Sequence, residues 1–445
     1  MNKEIFKAYD IRGKYPDDVN EEAFELIAKA YSVWLKPKKV ALGRDVRTSG
    51  KSLWDAVARG LTDMGVNVVD VGVISTDMLY FAVGHYGFDG GLSVTGSHNP
   101  AEDNGLKLVR EDSRPISMES GIAQIRDLAF QGNFVEAKDK GKIVKLDIMD
   151  DYINEIIKFI DVDKVKPFKV AVNPNFGAAG VVLDRLADVL GLELVKINFE
   201  QDGTFPKGRP DPMIPSNREE IARLVVESGA DFGVTWDADA DRCFFYDENG
   251  KFVDGYYEAA LLAQIVLEKY PNGKIVHDPR LIWATVDLVK QAGGIPLVNK
   301  VGHSFIKARM REEDAVFGGE NSGHFYFKDY FFCDNGMIPF LLVLNKLSKT
   351  GQKFSELIDY MQEKYPNSGE TNFTVVDKAT KLKEIEQKYA DGKIEHIDGV
   401  SIEYADWRFN VRESNTEPLL RLNLEAKNKE LVAEKLKELT ELIQG

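Results

Sequence analysis

The sequence predicts an α/β protein of four domains, in which three successive α/β domains precede a smaller C-terminal α+β domain. Three observations predict it. The chain has 445 residues, and single cores stop growing at about 250–300 residues. Short β-rich runs alternate with helix-length segments through three successive blocks, the pattern of layered α/β structure. The tail then changes character, with strand-like runs that adjoin one another and a final amphipathic segment.

The first block holds the strand Lys39–Gly43, a helical stretch over about 51–64, the strand Val66–Val71 and the strand Gly90–Val94. The second opens with Phe168–Val172 and turns at Asn173-Pro174-Asn175. A helix runs from there to about Leu190, followed by the strand Leu192–Ile197 and a helix near 217–228. It ends on the strand Ala230–Trp236, which leads into an acidic loop. The third has a helix at about 256–269, the strand Lys274–His277, a helix over about 282–291 and the strand Ala315–Phe317. In the tail, 401–405, 407–411 and 418–426 read as antiparallel strands. Val432, Leu436, Leu439 and Ile443 fall at helical spacing. The expected domains are therefore 1–147, 148–252, 253–365 and 366–445. No low-complexity linker separates them, so they are expected to pack around a shared cleft.

Composition excludes several classes. The formal charge is −15, which repels nucleic acid and anionic membranes at long range. Any phosphorylated small molecule must then be drawn by a local basic pocket. The two cysteines, Cys243 and Cys333, give no disulfide framework and read as residents of a reducing cytoplasm. The first seven residues lack the apolar run of a signal peptide. The longest apolar stretch, near Met337–Leu344, is too short for a bilayer span of about 20 residues. A cytoplasmic protein is expected.

Four loops carry chemistry. Thr95-Gly96-Ser97-His98-Asn99-Pro100 follows a buried-looking strand, where α/β sheets place ligands. Small neighbours leave room for a phosphoryl group on Ser97, although Ser and Asn also favour plain turns. Asp237-Ala238-Asp239-Ala240-Asp241-Arg242 sets three carboxylates at alternate positions, able to converge on one hard cation. A solvated acidic turn is the alternative. An EF-hand loop is disfavoured: Glu248 falls at its twelfth position, but Arg242 occupies the place that needs glycine. Gly318-Gly319-Glu320-Asn321-Ser322-Gly323-His324 lets backbone approach a ligand closely. There Glu320 and Ser322 suit sugar hydroxyls, and His324 is a candidate proton carrier. Arg412-Glu413-Ser414-Asn415-Thr416-Glu417-Pro418 joins an arginine to hydroxyl and amide donors fit for a phosphate. Each loop alone could be a structural turn. Together they offer a nucleophile, a metal site, a polyol reader and a phosphate clamp.

These four loops, in this order, resemble the α-D-phosphohexomutase superfamily, and the likeness covers essentially the whole chain. Ala8–Gly13 and Gly43–Gly50 also look like that family's opening segments. The segments 104–110, 114–117, 277–280, 333–339 and 407–410 look like the bacterial phosphomannomutase branch. Gly96 departs from the family's usual alanine, and Ala238 and Ala240 replace residues that are commonly glycine and a larger side chain.

The resemblance implies three related α/β domains with mixed sheets, a smaller fourth domain and a central cleft. It implies that Ser97 carries the exchanged phosphate and that Mg²⁺ is held by Asp237, Asp239, Asp241 and the Ser97 phosphate. Arg242 and Arg44 would assist the same phosphoryl oxygens. Lys107 and His324 would handle protons. Arg412, Ser414, Asn415 and Thr416 would clamp the non-reacting phosphate, Glu320 and Ser322 would read the sugar, and Tyr9, Arg12, Arg280 and His303 would line the cleft. Closure of the domains would exclude water, which would otherwise turn transfer into hydrolysis. The implied reaction moves phosphate between the 6- and 1-positions of mannose through a 1,6-bisphosphate, with glucose or mannose 1,6-bisphosphate as activator and GDP-mannose as the downstream product. Phosphoglucomutase, a dual mannose/glucose enzyme and phosphoglucosamine mutase are the enzymatic rivals, the last disfavoured by Asn321 where it usually carries glutamine. A non-catalytic phosphosugar-binding protein and a calcium-binding module are the rivals from other classes. The oligomeric state is not legible.

Overall fold

The computed structural model describes residues 1–413 and 419–445. The chain forms two compact units. One comprises Met1–Phe252 with Tyr326–Gly351, the other Val253–Phe325 with Gln352–Gly445.

The first unit contains two sheets whose strands end at the chemical loops. One runs in the order β1 (Ile11–Lys14), β5 (Asp103–Arg110), β4 (Gly90–Val94), β2 (Lys39–Arg44), β3 (Asn67–Val73), β7 (Ile143–Lys145), with the short β6 (Arg114–Pro115) also on β5. The pairs β4–β2, β2–β3 and β3–β7 are parallel, while β1–β5 and β5–β4 are antiparallel. The sheet is therefore mixed. Its central strand β4, Gly-Gly-Leu-Ser-Val, is buried at every position. That is why it reads as a continuous apolar run rather than an alternation. The helix Glu21–Leu35 covers this sheet. Asn20 caps it by accepting from Ala23 N at 3.0 Å, and Glu21 and Glu22 favour its positive end.

The second sheet runs β11 (Cys243–Tyr246), β10 (Phe232–Trp236), β8 (Lys169–Asn173), β9 (Glu193–Lys196). Only the β10–β11 pair is antiparallel. The acidic loop is the hairpin between those two strands. The segment after Phe325 belongs to this unit. Its helix Met337–Thr350 places Phe340 edge-on to Trp236, with ring centroids 5.8 Å apart. Trp236 also donates its indole N–H to Gly336 O at 2.7 Å.

In the second unit, Lys274–His277 lies between Ile295–Val298 and Phe317–Gly319, all parallel. The strand expected at Ala315–Phe317 begins two residues later, at Phe317, and runs through Gly318 and Gly319, which pair with Val276 and His277. The C-terminal sheet is wholly antiparallel, in the order Asn367–Thr374, Leu419–Ala426, Trp407–Glu413, Val400–Glu403, Lys393–Glu395. Leu420, Leu422 and Leu424 alternate inward beneath Val432, Leu439 and Ile443 of the helix Lys429–Gln444. This is the α+β tail that the sequence predicts. Among the described residues, no helix is long and apolar enough to cross a membrane.

Candidate active site

Ser97 stands in the turn between β4 and β5, in the left-handed region at φ 50° and almost wholly buried. Such a backbone is unusual for a residue with a Cβ and marks a position fixed by its surroundings. Its N–H donates to Thr95 Oγ1 at 2.8 Å, and its Oγ lies 3.1 Å from His98 Nδ1. The largest constraint comes from Arg47, fully buried under the loop. Arg47 Nη2 donates to Ser97 O at 2.8 Å and Asn99 O at 2.7 Å. Its Nη1 donates to Asp103 O at 2.9 Å and to Pro100 O. Its Nε donates to Asp45 Oδ2 at 3.2 Å. A guanidinium has five N–H donors, and these five hydrogen bonds use them all. Arg47 therefore holds the loop and has no donor left for a ligand.

Gly96 fits this arrangement. A Cβ there would lie 2.5 Å from Arg47 Cζ and Nε. Arg12 adds a second tie, with Nη1 to Gly96 O at 2.8 Å and Nε to Asp10 Oδ2 at 2.7 Å. The loop is also gripped from the second sheet's side. Arg209 Nε donates to His98 O at 3.1 Å, Gly203 bridges to Arg47, and the Phe205 ring sits 5.0 Å from the Arg47 guanidinium. Arg44, expected at the phosphoryl group, is half-buried and donates to Asp45 O at 3.0 Å. Tyr9 is partly buried.

The acidic loop is equally fixed. Ala238 O accepts from Ala178 N at 2.9 Å, and a Cβ on Gly177 would lie 2.3 Å from that carbonyl. A Cβ on Gly336 would lie 2.3 Å from Ala240 O. Ala240 itself has φ 53°. Two close glycine approaches thus set the loop in place, and the alanine spacers do not loosen it.

Asp237, Asp239 and Asp241 are buried, with carboxylate oxygens within 4.8 Å of one another. Three converging hard oxygen donors are the set a divalent cation such as Mg²⁺ takes. Asp239 Oδ1 is buried and accepts no hydrogen bond among the described residues. A buried carboxylate oxygen of that kind calls for a cation, so the residues fit a metal.

The side chains around the three carboxylates set their charges. Lys107 Nζ donates to Asp239 Oδ2 at 2.8 Å and to Asp241 Oδ2 at 2.5 Å, and Thr76 Oγ1 reaches Asp239 Oδ2 at 2.6 Å. Burial works against the Lys107 ammonium, but Asp239 and Asp241 outweigh it and hold its proton more tightly than in water. Burial likewise works against the Asp239 anion, and Lys107 outweighs it and keeps that carboxyl well below its ordinary value. Asp237 goes the other way, pushed up to about 7 by burial and by Asp241 and Asp239, against the pull of Arg242. Arg242 Nε donates to Asp237 Oδ2 at 2.8 Å, and its Nη2 lies 3.6 Å from Asp211 Oδ1.

The Ser97 loop and the acidic loop join directly. Ser97 N–H donates to Thr95 Oγ1, and Thr95 Oγ1 in turn lies 3.4 Å from Asp239 Oδ2.

In the second unit, Glu320, Ser322 and His324 share one tight turn. Glu320 N donates to His324 O at 3.0 Å, and Ser322 Oγ lies 3.3 Å from Glu320 Oε2. Asp278 secures the turn by accepting from Asn321 N at 2.8 Å. The same carboxylate receives Arg280 Nη2 at 2.7 Å, and Arg280 holds its pKa down against burial. Arg280 and Arg412 are both buried. His303 is the first residue of the helix His303–Glu313, entered through Gly302 at φ 128°. Ser414, Asn415 and Thr416 lie outside the described residues. The sequence reading missed Arg47, Thr76, Arg209, Asp211 and Asp278.

Four stretches of the chain match one family. Residues 3–136, 150–250 and 254–365 match phosphoglucomutase/phosphomannomutase alpha/beta/alpha domains I, II and III, and residues 370–442 match its C-terminal domain. The chain belongs to the phosphoglucomutase/phosphomannomutase family. It is 44% identical to a phosphomannomutase of Salmonella montevideo, covering 100% of both chains. Its identity to the "phosphohexose mutases" of Xanthomonas campestris is 43%, again over 100% of both. In structure it resembles a phosphoglucomutase/phosphomannomutase family protein of Burkholderia thailandensis. The TM-score is 0.90 at 30% identity, covering 100% of this chain and 98% of that one. The chain is thus a phosphohexomutase of the α-D-phosphohexomutase superfamily, an intramolecular phosphotransferase similar to phosphomannomutases. The family's magnesium dependence accords with the three buried carboxylates of this phosphohexomutase.

Proposed function

We propose that this phosphohexomutase interconverts mannose 6-phosphate and mannose 1-phosphate through phosphorylated Ser97 and a mannose 1,6-bisphosphate intermediate, supplying GDP-mannose synthesis in the cytoplasm. One observation carries the reading. The strained, buried Ser97 is hydrogen-bonded through Thr95 to an acidic loop whose carboxylates converge around Lys107.

In the forward step the sugar hydroxyl attacks the Ser97 phosphoryl group. The Ser97 Oγ–P bond breaks, a sugar O–P bond forms, and the hydroxyl proton ends on the departing Ser97 Oγ. The bisphosphate then turns over and returns its other phosphate to Ser97. Transfer of this kind asks the protein to position groups and offset charge. Asp237, Asp239 and Asp241, with the Ser97 phosphate, would hold Mg²⁺, which supplies charge stabilisation at the phosphoryl oxygens. Arg242 and Arg44 would add positive charge there. Lys107 carries its ammonium beside the same carboxylates and would give a proton to Ser97 Oγ as it leaves, then take up the one the sugar hydroxyl releases, with His324 supporting. Glu320 and Ser322 would read hydroxyls common to both poses. Arg412 with Ser414, Asn415 and Thr416 would clamp the distal phosphate, and Tyr9, Arg12, Arg280 and His303 would line the path. Glucose or mannose 1,6-bisphosphate would prime Ser97.

A dual mannose/glucose enzyme is the second reading, favoured by the plural name of the Xanthomonas relatives. Paired steady-state kinetics on mannose 1-phosphate and glucose 1-phosphate, with Mg²⁺ and a trace of glucose 1,6-bisphosphate, separates them. The expected result is a clear mannose preference in kcat/KM. Comparable values would establish the dual enzyme, and turnover of neither substrate would overturn both readings.

A further inference from the structure

In the C-terminal sheet, Arg412 and Arg421 stand directly opposite each other on adjacent antiparallel strands. Like charges in that register repel. A third arginine joins them. Glu370 Oε1 lies 3.2 Å from Arg421 Nη1, and Glu370 Oε2 lies 3.5 Å from Arg280 Nη1 and 3.9 Å from Arg412 Nη2. Glu370 is aimed there by a break in register of its own strand. The pairing with Leu419–Ala426 shifts between Asn367 and Glu370, with Gly369 at φ 66°.

The contacts to Glu370 Oε2 are too long for hydrogen bonds, and this buried oxygen accepts none among the described residues. The carboxylate neutralises Arg280 and Arg412 without gripping them, and hydrogen-bonds Arg421 through Oε1 at 3.2 Å. It is also not needed to hold Arg280, which Asp278 fixes through its guanidinium at 2.7 Å and its backbone N–H at 2.9 Å. Arg412 is held by its strand ladder. Glu370 therefore occupies, as an anion, the ground that an incoming phosphate would take.

We propose that Glu370 is a positioning residue that competes with the substrate's distal phosphate for Arg280, Arg412 and Arg421, keeping that grip weak. The inference rests on the reading of Arg412 as the phosphate clamp. A mutase whose bisphosphate must leave the clamp, turn and bind again gains from this. Binding every state equally tightly lowers KM without raising kcat, and here it would also slow the turn.

The test measures binding of mannose 1-phosphate by calorimetry on full-length chains carrying Ser97→Ala, together with KM and kcat on chains with Ser97 intact. Glu370→Gln removes the charge and keeps the shape. The expected result is a roughly fivefold fall in Kd, equivalent to about 1 kcal/mol, with a parallel fall in KM. Glu370→Asp keeps the charge and is expected within about twofold of the parent. A purely structural role predicts the reverse, a raised KM together with a lower kcat. Unchanged or weaker binding by Glu370→Gln overturns the proposal. Glu370→Met, uncharged and of similar length, is the second neutral variant, and tightening is required of whichever of the two folds. Arg412→Ala separates the two readings. If it leaves Kd unchanged, the clamp reading fails. If it weakens binding while the neutral Glu370 variants do not tighten it, the clamp stands and the Glu370 proposal falls.

Discussion

The loop that carries Ser97 and the arginine cluster around Glu370 both hold buried charge, but in opposite ways. Beneath Ser97, one guanidinium spends all five donors on four loop carbonyls and one carboxylate. Around Glu370, three guanidiniums meet a single carboxylate, and two of the three contacts are 3.5 Å or longer. The first is a network saturated with directional bonds. The second is held by charge with little direction. Phosphoryl transfer needs its nucleophile fixed to within a fraction of an ångström. Recognition of one substrate in two poses needs contacts that release. Hydrogen-bond geometry supplies the first property and loose electrostatics the second.

The largest effect should come from breaking the saturated network. Arg47→Ala strands buried Asp45 without its partner, so a stability loss of about 3–5 kcal/mol is expected in denaturant titration. Arg47→Lys keeps the charge but cannot fork toward four carbonyls. Its expected signature is kcat lower by about 10²-fold with KM little changed, because Ser97, proposed above as the nucleophile, would lose near-attack geometry. Retention of kcat by Arg47→Lys would mean that the five bonds do not place Ser97.

A smaller effect follows from Gly96→Ala. In this chain the new Cβ would meet the Arg47 guanidinium at 2.5 Å, and that guanidinium cannot retreat without losing its bonds. Overpacking of this kind costs about 1–3 kcal/mol, read as a lower unfolding midpoint. An unshifted midpoint would show the network to be more pliant than its geometry implies.

Much of this contrast was hidden in the sequence. The four loops stand out in the sequence because their own side chains are of the types that phosphoryl transfer and metal binding use. Gly43–Gly50 was legible as a family segment, but the role of Arg47 was not. Its targets are backbone carbonyls some fifty residues on, and only the packing of β2 beside β4 brings them together. Glu370 was invisible for a different reason. Asn367–Thr374 reads Asn-Ser-Gly-Glu-Thr-Asn-Phe-Thr, with no apolar alternation to announce a strand. The first sheet gains its edge strand β1 by antiparallel pairing with β5 across ninety residues, a long-range choice that local periodicity does not encode. The helix Met337–Thr350 lies in the span read as the third domain yet packs on Trp236 of the second, since an apolar helix takes whichever face buries it.

The finest probe is pH, because each unit also holds a buried carboxylate, Asp77 in the first and Asp278 in the second, with different partners. Asp77 opens the helix Thr76–Tyr86 and is satisfied by neutral donors, namely Ser75 Oγ, Tyr152 O–H and Met78 N. Burial dominates and pushes it up to about 7. Asp278 is buried too, but Arg280 outweighs burial and holds it below its ordinary value. The consequences have opposite signs. For Asp77 the folded state binds the proton more tightly than the unfolded chain, so its stabilising contribution is full below about pH 4 and is lost as pH rises toward 7. For Asp278 the contribution is present above the unfolded value and disappears only as pH falls through the depressed folded one. Asp77→Asn, which mimics the protonated acid, should therefore flatten the decline in unfolding midpoint between pH 4 and pH 7 and leave the acid limb alone. Asp278→Asn should lower stability at neutral pH and shallow the acid limb. Identical pH profiles for the two variants would mean that neutral donors and arginine serve a buried carboxylate equally well here, and the contrast between the regions would fail at its electrostatic root.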